Sequence, residues 1–185
     1  AKGIGMVHQH FMLVPSLTVA ENMVLGMAPK KKGLFIDMDK AIAITEEYAK
    51  KYNLHVDPKA KVVDIPVGMK QKVEILKALV RGAKILILDE PTAVLTPQET
   101  DRLFQVLRNM RDQGHSIIII THKLNEVLSL SDRVAVLRKG HSVGSIQTSE
   151  ATEKSLTEMM VGRRVNLNIE RPEPANPRLK LKVRD

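Results

Sequence analysis

Hydrophobic residues along the chain form two kinds of pattern, short apolar runs and longer stretches with helical spacing. Residues 85–88 and 117–120 are uninterrupted runs of Ile and Leu bounded by polar residues. Such runs predict strands that are buried on both faces of a parallel sheet. Residues 3–11 predict the end of a short strand that opens into a loop, and 133–137 and 141–147 predict two more strands.

Helices are predicted where apolar residues recur every three or four positions after a capping residue. Ser16 is predicted to cap the first helix and Asp37 the second. Thr96 begins a capping box, and Gly82 ends the helix that precedes the second strand. The predicted helices cover residues 17–27, 37–52, 68–81, 97–114, 125–130 and 152–161. Because strands and helices alternate, the fold class is α/β.

Composition narrows the class of protein. The chain has 185 residues, no cysteine and a formal net charge of +8. The absence of cysteine excludes disulfides and thiolate metal sites. The basic residues are scattered and only 3% of residues are aromatic, so a solvated basic surface is favoured over nucleic-acid binding. Aliphatic runs are too short to cross a bilayer, and a first residue that is Ala rather than Met suggests a piece of a longer protein.

Polar residues that follow the two apolar strands are the candidate catalytic and metal-binding residues. Asp89 and Glu90 end the first of these strands, and His122 follows the second. The carboxyl ends of parallel strands meet at the edge where α/β sheets bind ligands. Two carboxylates there suit Mg²⁺ binding and activation of a water. Taken alone, Asp89 is better explained as the end of a core strand that caps a helix, and His122 as an ordinary hydrogen-bonded residue.

The order of four motifs carries a family resemblance. Gln9 follows a short strand, Gly-Met-x-Gln begins a helix at Gly68, and Asp89-Glu90-Pro-Thr and Thr-His122 follow the two apolar strands. These motifs resemble the Q-loop, signature helix, Walker B motif and switch histidine of an ATP-binding cassette (ABC) ATPase. Their details are similar to the ATPase subunits of bacterial simple-sugar and nucleoside importers, which carry two cassettes in one polypeptide. The resemblance implies an incomplete P-loop NTPase (RecA-like) parallel sheet with an inserted α-helical subdomain.

The same resemblance implies a division of the chain and a set of partners. The helical subdomain would contact membrane permeases, and a second cassette would complete the ATP site, at the cytoplasmic face of the cell membrane. The implied segments are 1–12 (core strand and Q-loop), 13–82 (helical subdomain), 83–162 (catalytic core), 163–177 (linker) and 178–185 (start of a second cassette). A DNA-associated relative would need a long coiled coil between Gln9 and Gly68, and the sequence there has no sustained heptads.

Roles for single residues also follow from the resemblance. Asp89 and Gln9 would hold Mg²⁺, Glu90 would be the general base, and His122 would contact the γ-phosphate of ATP. Gln9 would also position the water and report to the permease.

The signature helix supplies the remaining candidates. Gly68, together with Met69 and Gln71, would face ATP that is held by the partner cassette, because a helix N-terminus favours an anion. The signature usually contains a serine where this chain has Pro66. Proline offers neither a hydroxyl nor an N–H, so this phosphate contact is expected to be weaker.

The largest departure from the family is the absence of a P-loop. The motif G-x-x-x-x-G-K-[ST] is needed, and none of the ten glycines precedes a lysine. We therefore expect no ATP hydrolysis by the chain alone, which leaves two functions open: part of an importer ATPase, or a non-catalytic remnant that acts as an interaction module.

The resemblance also implies that a strand is missing from the sheet. In the family, the strand that leads into the P-loop lies between the strands that end at His122 and Leu137, so its absence should leave an unpaired edge on each of them. Pairing between copies is expected, and direct pairing of those two strands is the alternative.

Overall fold

The computed structural model describes residues 2–27, 29 and 36–163 of the chain. The chain divides into two compact units, Ala1–Leu130 and Ser131–Asp185. No helix among the described residues is long and apolar enough to cross a membrane. The predicted start of a second cassette and almost all of the predicted linker lie outside the described residues.

A parallel sheet organises the first unit. Strands β1 (Ile4–Val7), β2 (Ile85–Asp89) and β3 (Ser116–Ile120) form it in the order β1-β2-β3. Both neighbouring pairs are parallel, and Met6, Ile87 and Ile118 lie side by side in register. The predicted parallel sheet is confirmed, with β3 at an edge of it.

The two faces of this sheet are covered very differently. Leu86 and Leu88 on one face of β2 are fully buried. On the other face, Ile118 is 50% and Ile120 49% exposed, and Ile4 and Met6 of β1 are exposed as well. The prediction that β2 is buried on both faces is therefore wrong, because no described element covers the face that carries Ile87. Below, we refer to this surface, formed by Ile4, Met6, Ile118 and Ile120, as the open face.

Three helices pack together between β1 and β2 in the sequence. They are α1 (Val19–Val24), α2 (Met38–Lys51) and α3 (Val67–Val80), with a 3₁₀ turn at Val62–Asp64 in the predicted loop. Helix α3 also packs on β1, where Gly5 allows a close approach. A Cβ at Gly5 would lie 2.8 Å from the Ala78 Cβ and 2.9 Å from the Ala83 Cβ. Glycine is therefore required at this position by packing between a helix and a strand.

The first helix differs from its prediction at both ends. Thr18 caps it rather than Ser16: the Glu21 amide donates to the Thr18 hydroxyl, and the Thr18 amide donates to the Glu21 carboxylate. Only Thr18 has an acid three positions later, as a capping box requires. Hydrogen bonds from the Thr18 backbone and side chain hold the pKa of Glu21 below its usual range. The helix ends at Val24, since Leu25 is extended and Gly26 has a φ of 83°.

The remaining helices of the first unit follow their predictions closely. Helix α4 (Pro97–Asp112) precedes β3, and α5 (Leu124–Leu130) follows it. Thr96 and Glu99 form the predicted capping box, and hydrogen bonds from Thr96 hold the pKa of Glu99 below its usual range. The predicted inner face of α4 is buried and consists of Leu103, Phe104, Leu107 and Met110.

The described residues of the second unit, 131–163, contain an antiparallel hairpin, a 3₁₀ turn at Thr148–Glu150 and one α-helix. Strands β4 (Arg133–Arg138) and β5 (His141–Gln147) are joined by Lys139 and Gly140, whose φ values of 49° and 79° suit a tight hairpin turn. Helix α6 (Glu153–Val161) packs on β4. Within the part of the chain that the structure describes, β4 pairs only with β5.

Candidate functional site

Strand β2 ends at the edge of the sheet where the two adjacent carboxylates lie. Asp89 is the last residue of β2, and the Glu90 amide still donates to the Ile120 carbonyl of β3 over 2.9 Å. Glu90 has a φ of 46°, in the left-handed region that residues other than glycine rarely adopt. The chain turns sharply at Glu90, and strained residues of this kind cluster at active sites.

Glu90 contacts the predicted switch histidine. The Glu90 Oε1 atom lies 2.8 Å from His122 Nδ1. An ionised carboxylate can only accept, so His122 Nδ1 would be the donor in a hydrogen bond to ionised Glu90. The His122 side chain is 73% exposed, whereas that of Glu90 is only 18% exposed. The second oxygen, Glu90 Oε2, is buried and has no hydrogen-bond partner among the described residues.

A small pocket brings several predicted site residues together. Gln9, Gln71, Asp89 and Glu90 line it, with His8, His10 and Phe11 on the loop after β1. Gly68 and Met69 do not line this pocket. Within residues 2–27, 29 and 36–163, no group of three or more acidic, His or Cys side chains is arranged to hold a metal ion.

The start of α3 carries the other predicted nucleotide contacts. Pro66 is the N-cap and gives no side-chain hydrogen bond to the helix. Gly68 lies against Glu99, since a Cβ there would be 2.6 Å from Glu99 Oε1. Gln71 is only 3% exposed, and its Nε2 donates to the Pro91 carbonyl over 2.6 Å. The Gln71 side chain thus faces the protein interior and the pocket.

Sequence reasoning missed three residues beside this site. The buried Thr92 hydroxyl lies 2.7 and 2.8 Å from the two carboxylate oxygens of Glu126 on α5. Lys123 Nζ donates to both the carbonyl and the hydroxyl of Thr92, and it lies 3.1 Å from Glu126. The spacing of Lys123 and Glu126 suggests an ion pair along a helix. Their contact with Thr92 has no local sequence pattern.

The fold agrees with comparisons to known proteins. The ABC transporter family model matches residues 1–93. The chain belongs to this family. Its α/β fold also matches a solved structure of MJ1267, an ATP-binding cassette of an ABC transporter in its ADP conformation. That match has a TM-score of 0.69 and 22% identity, covering 87% of this chain and 69% of MJ1267, and it shows the fold alone.

Relatives within the ABC family are import proteins. The nucleoside import ATP-binding protein NupA of Lactococcus lactis subsp. cremoris is 46% identical over 183 residues, which are 99% of this chain and 36% of NupA. The guanosine import ATP-binding protein NupO of Bacillus subtilis is 50% identical over 169 residues, 91% of this chain and 33% of NupO. The ABC chain thus spans about a third of the length of the curated relatives that it matches.

Proposed function

We propose that this ABC chain is part of the ATP-hydrolysing subunit of a bacterial importer for simple sugars or nucleosides. The contact between Glu90 and His122, beside Asp89 at the edge of a parallel sheet, carries the proposal. The names of the relatives support the solute class, since NupA and NupO are described as import proteins for a nucleoside and for guanosine.

The site residues divide the chemical work in this proposal. Glu90 would be the general base that accepts a proton from a water, and its buried Oε2 has no protein partner among the described residues. His122 orients the Glu90 carboxylate through Oε1. Asp89 and Gln9 would hold Mg²⁺, which supplies charge neutralisation at phosphate oxygens. To donate to a phosphate from Nε2 while Nδ1 donates to Glu90, His122 must be an imidazolium.

Nucleotide phosphates need groups that this sequence does not contain. No glycine in the 185 residues precedes a lysine, so the P-loop must come from elsewhere in a larger protein. The proposal therefore assigns ATP hydrolysis to that larger protein and none to the chain alone. Gly68 and Met69, half-buried at the start of α3, would face ATP on a second cassette. Gln71, whose side chain is buried, would support that contact from the protein interior.

Permeases at the cytoplasmic face of the membrane are the proposed partners of residues 13–82. Exposed apolar side chains such as Leu25 and Val63 lie on this segment and suit such a contact. Residues 1–12 and 83–162 are then the catalytic core, which in the first unit contains the sheet described above.

A second candidate function is a non-catalytic interaction module. It is favoured by the missing P-loop motif and by Pro66, which provides no side-chain hydrogen bond at the start of α3. In this case the chain would bind permeases or other cassettes without hydrolysing ATP.

A chimera separates the two candidates. The matching 183-residue segment of NupA is replaced by this chain, so that NupA supplies the missing parts. Mg²⁺-dependent ATP turnover is then measured for the chimera, for its Glu90→Gln variant and for unmodified NupA. We expect turnover by the chimera that Glu90→Gln reduces by at least about a hundredfold, as for loss of a general base. A folded chimera without turnover, beside active NupA, would favour the interaction module.

A further inference from the structure

The loop after β2 is held from two sides by side chains of other elements. Gln71 of α3 donates to the Pro91 carbonyl over 2.6 Å. Thr92 bonds to Glu126, and Lys123 donates to the Thr92 carbonyl and hydroxyl over 3.0 Å each. We refer to Gln71, Thr92, Lys123 and Glu126 as the clamp. It fixes the two residues that directly follow Glu90.

The bonds of the clamp are stronger than ordinary surface contacts. Thr92 is only 1% exposed, and its hydroxyl both donates to Glu126 and accepts from Lys123, which uses its hydrogen-bonding capacity almost fully. Two of its partners are charged, and charge-assisted bonds are about twice as strong as neutral ones. A buried hydroxyl with such partners is costly to remove, because the Glu126 carboxylate, whose side chain is only 13% exposed, would lose this hydrogen bond.

Glu90 needs this support because of its backbone conformation. Its φ of 46° is unfavourable for a residue with a side chain and persists only where the surroundings impose it. On the strand side, the Glu90 amide is held by the Ile120 carbonyl. On the other side, the clamp holds Pro91 and Thr92. Glu90 therefore lies between two fixed points, with its carboxylate against His122.

We propose that the clamp residues are positioning residues, which hold the Glu90 carboxylate in contact with His122. Thr92 is the central one, because its hydroxyl connects the loop to Glu126 of α5 and to Lys123, which directly precedes that helix. Gln71 anchors the same loop to α3. A role of the clamp in catalysis rests on the proposed function, whereas its effect on the geometry of Glu90 does not.

A matched pair of substitutions at Thr92 tests the inference in the full chain. Thr92→Val keeps the shape and removes the hydroxyl, whereas Thr92→Ser keeps the hydroxyl and removes a methyl group. Amide hydrogen exchange is followed by NMR at Glu90, Ala93 and Leu95, which donate to carbonyls of Ile120, Glu90 and Thr92 respectively. The ¹⁵N shifts of the His122 ring report whether Nδ1 still carries its proton.

Thr92→Val should accelerate exchange at these three amides by about tenfold or more, since losing a buried hydrogen bond typically costs this factor. It should also remove the preference of His122 for a proton on Nδ1. Thr92→Ser should stay within about threefold of the wild type and keep that preference. Gln71→Met, of similar length but without an amide, should act in the same direction as Thr92→Val.

Control measurements keep the test decisive. Thr157→Val on α6 removes another threonine hydroxyl, which donates to the Glu153 carbonyl, and should change none of these signals. The amides of Gly82 and Ala83, bonded at the end of α3, serve as reference sites.

Two outcomes would overturn the inference. In the first, Thr92→Val behaves as wild type while Thr92→Ser accelerates exchange, which means that Thr92 acts by packing. In the second, exchange accelerates equally at Gly82 and Ala83, which means that Thr92 supports the fold in general. Neither readout requires nucleotide, so the clamp can fail while the chimera hydrolyses ATP, and the reverse also holds.

Discussion

Glu90 and His122 lie 32 positions apart in the sequence, yet Glu90 Oε1 is 2.8 Å from His122 Nδ1. Parallel pairing of β2 and β3 brings them together, because both residues follow the carboxyl ends of neighbouring strands. The exposed imidazole and the largely buried carboxylate thus form one unit at the sheet edge.

The protonation of His122 gives a direct test of this contact. When the ring is neutral, ¹⁵N shifts should show the proton on Nδ1, because an ionised carboxylate only accepts. In Glu90→Ala this preference should disappear. His141 on β5 is the internal control and should keep its shifts in both proteins. A wild-type ring protonated on Nε2 alone would contradict the contact.

Two single substitutions test which hydroxyl residue, Thr18 or Ser16, caps α1. Thr18→Ala removes the cap that bonds Glu21, and should lower the free energy of unfolding by about 1 kcal/mol. Ser16→Ala, two positions earlier, should change it by less than about 0.5 kcal/mol. Urea denaturation of both variants measures the difference. The reverse ranking would restore Ser16 as the cap.

The pH dependence of this cap follows from the lowered pKa of Glu21. Its pKa is lower in the folded than in the unfolded state, so its stabilising effect is complete above the usual glutamate pKa of about 4.3. The effect is lost as the pH falls through the lowered value. Glu21→Gln should therefore be less stable than wild type at pH 7, and the two should converge in acid. A difference that stays constant from pH 7 to pH 2 would contradict this assignment.

Local patterns predicted most of the elements, and the failures have physical reasons. Thr96 with Glu99 is a complete local motif and was predicted correctly. The resemblance suggested that Gln71 contacts nucleotide, but only the packing of α3 shows its side chain facing the interior. Thr92 and Glu126 were missed because their contact spans 34 positions and depends on the placement of α5. Local motifs and the residues that share a sheet edge, such as Glu90 and His122, are thus readable from the sequence, whereas a contact such as that between Thr92 and Glu126 is not.

Close packing at Gly5 predicts a strong effect for a single methyl group. Gly5→Ala would place its Cβ within 3 Å of the Ala78 and Ala83 side chains, so it should lower the free energy of unfolding by about 1–3 kcal/mol. In the Ala78→Gly background the cost should be smaller, because one of the two clashes is gone. Denaturation of the four proteins in this double-mutant cycle measures the coupling. Strictly additive effects would mean that α3 and β1 are farther apart than described.

The open face and the free edge of β3 predict that copies of the chain associate. Ile118 belongs both to the open face and to the edge strand β3, and its side chain is half exposed. An exposed apolar edge strand is a recognised site of edge-to-edge pairing between copies. Wild-type protein should therefore show a concentration-dependent increase in mass by native mass spectrometry or light scattering. Ile118→Lys should shift it towards the monomer, because pairing would bury a charge.

An exposed aliphatic residue elsewhere separates this effect from a general gain in solubility. Val63 is 58% exposed in the 3₁₀ turn at Val62–Asp64, and Val63→Lys adds the same charge away from the sheet. It should leave the association of the wild type unchanged, since a charge there does not lie on the β3 edge. If both lysine variants dissociate the copies equally, net charge controls association and the β3 edge does not. If the wild type is monomeric at every concentration, the expected pairing of copies is wrong.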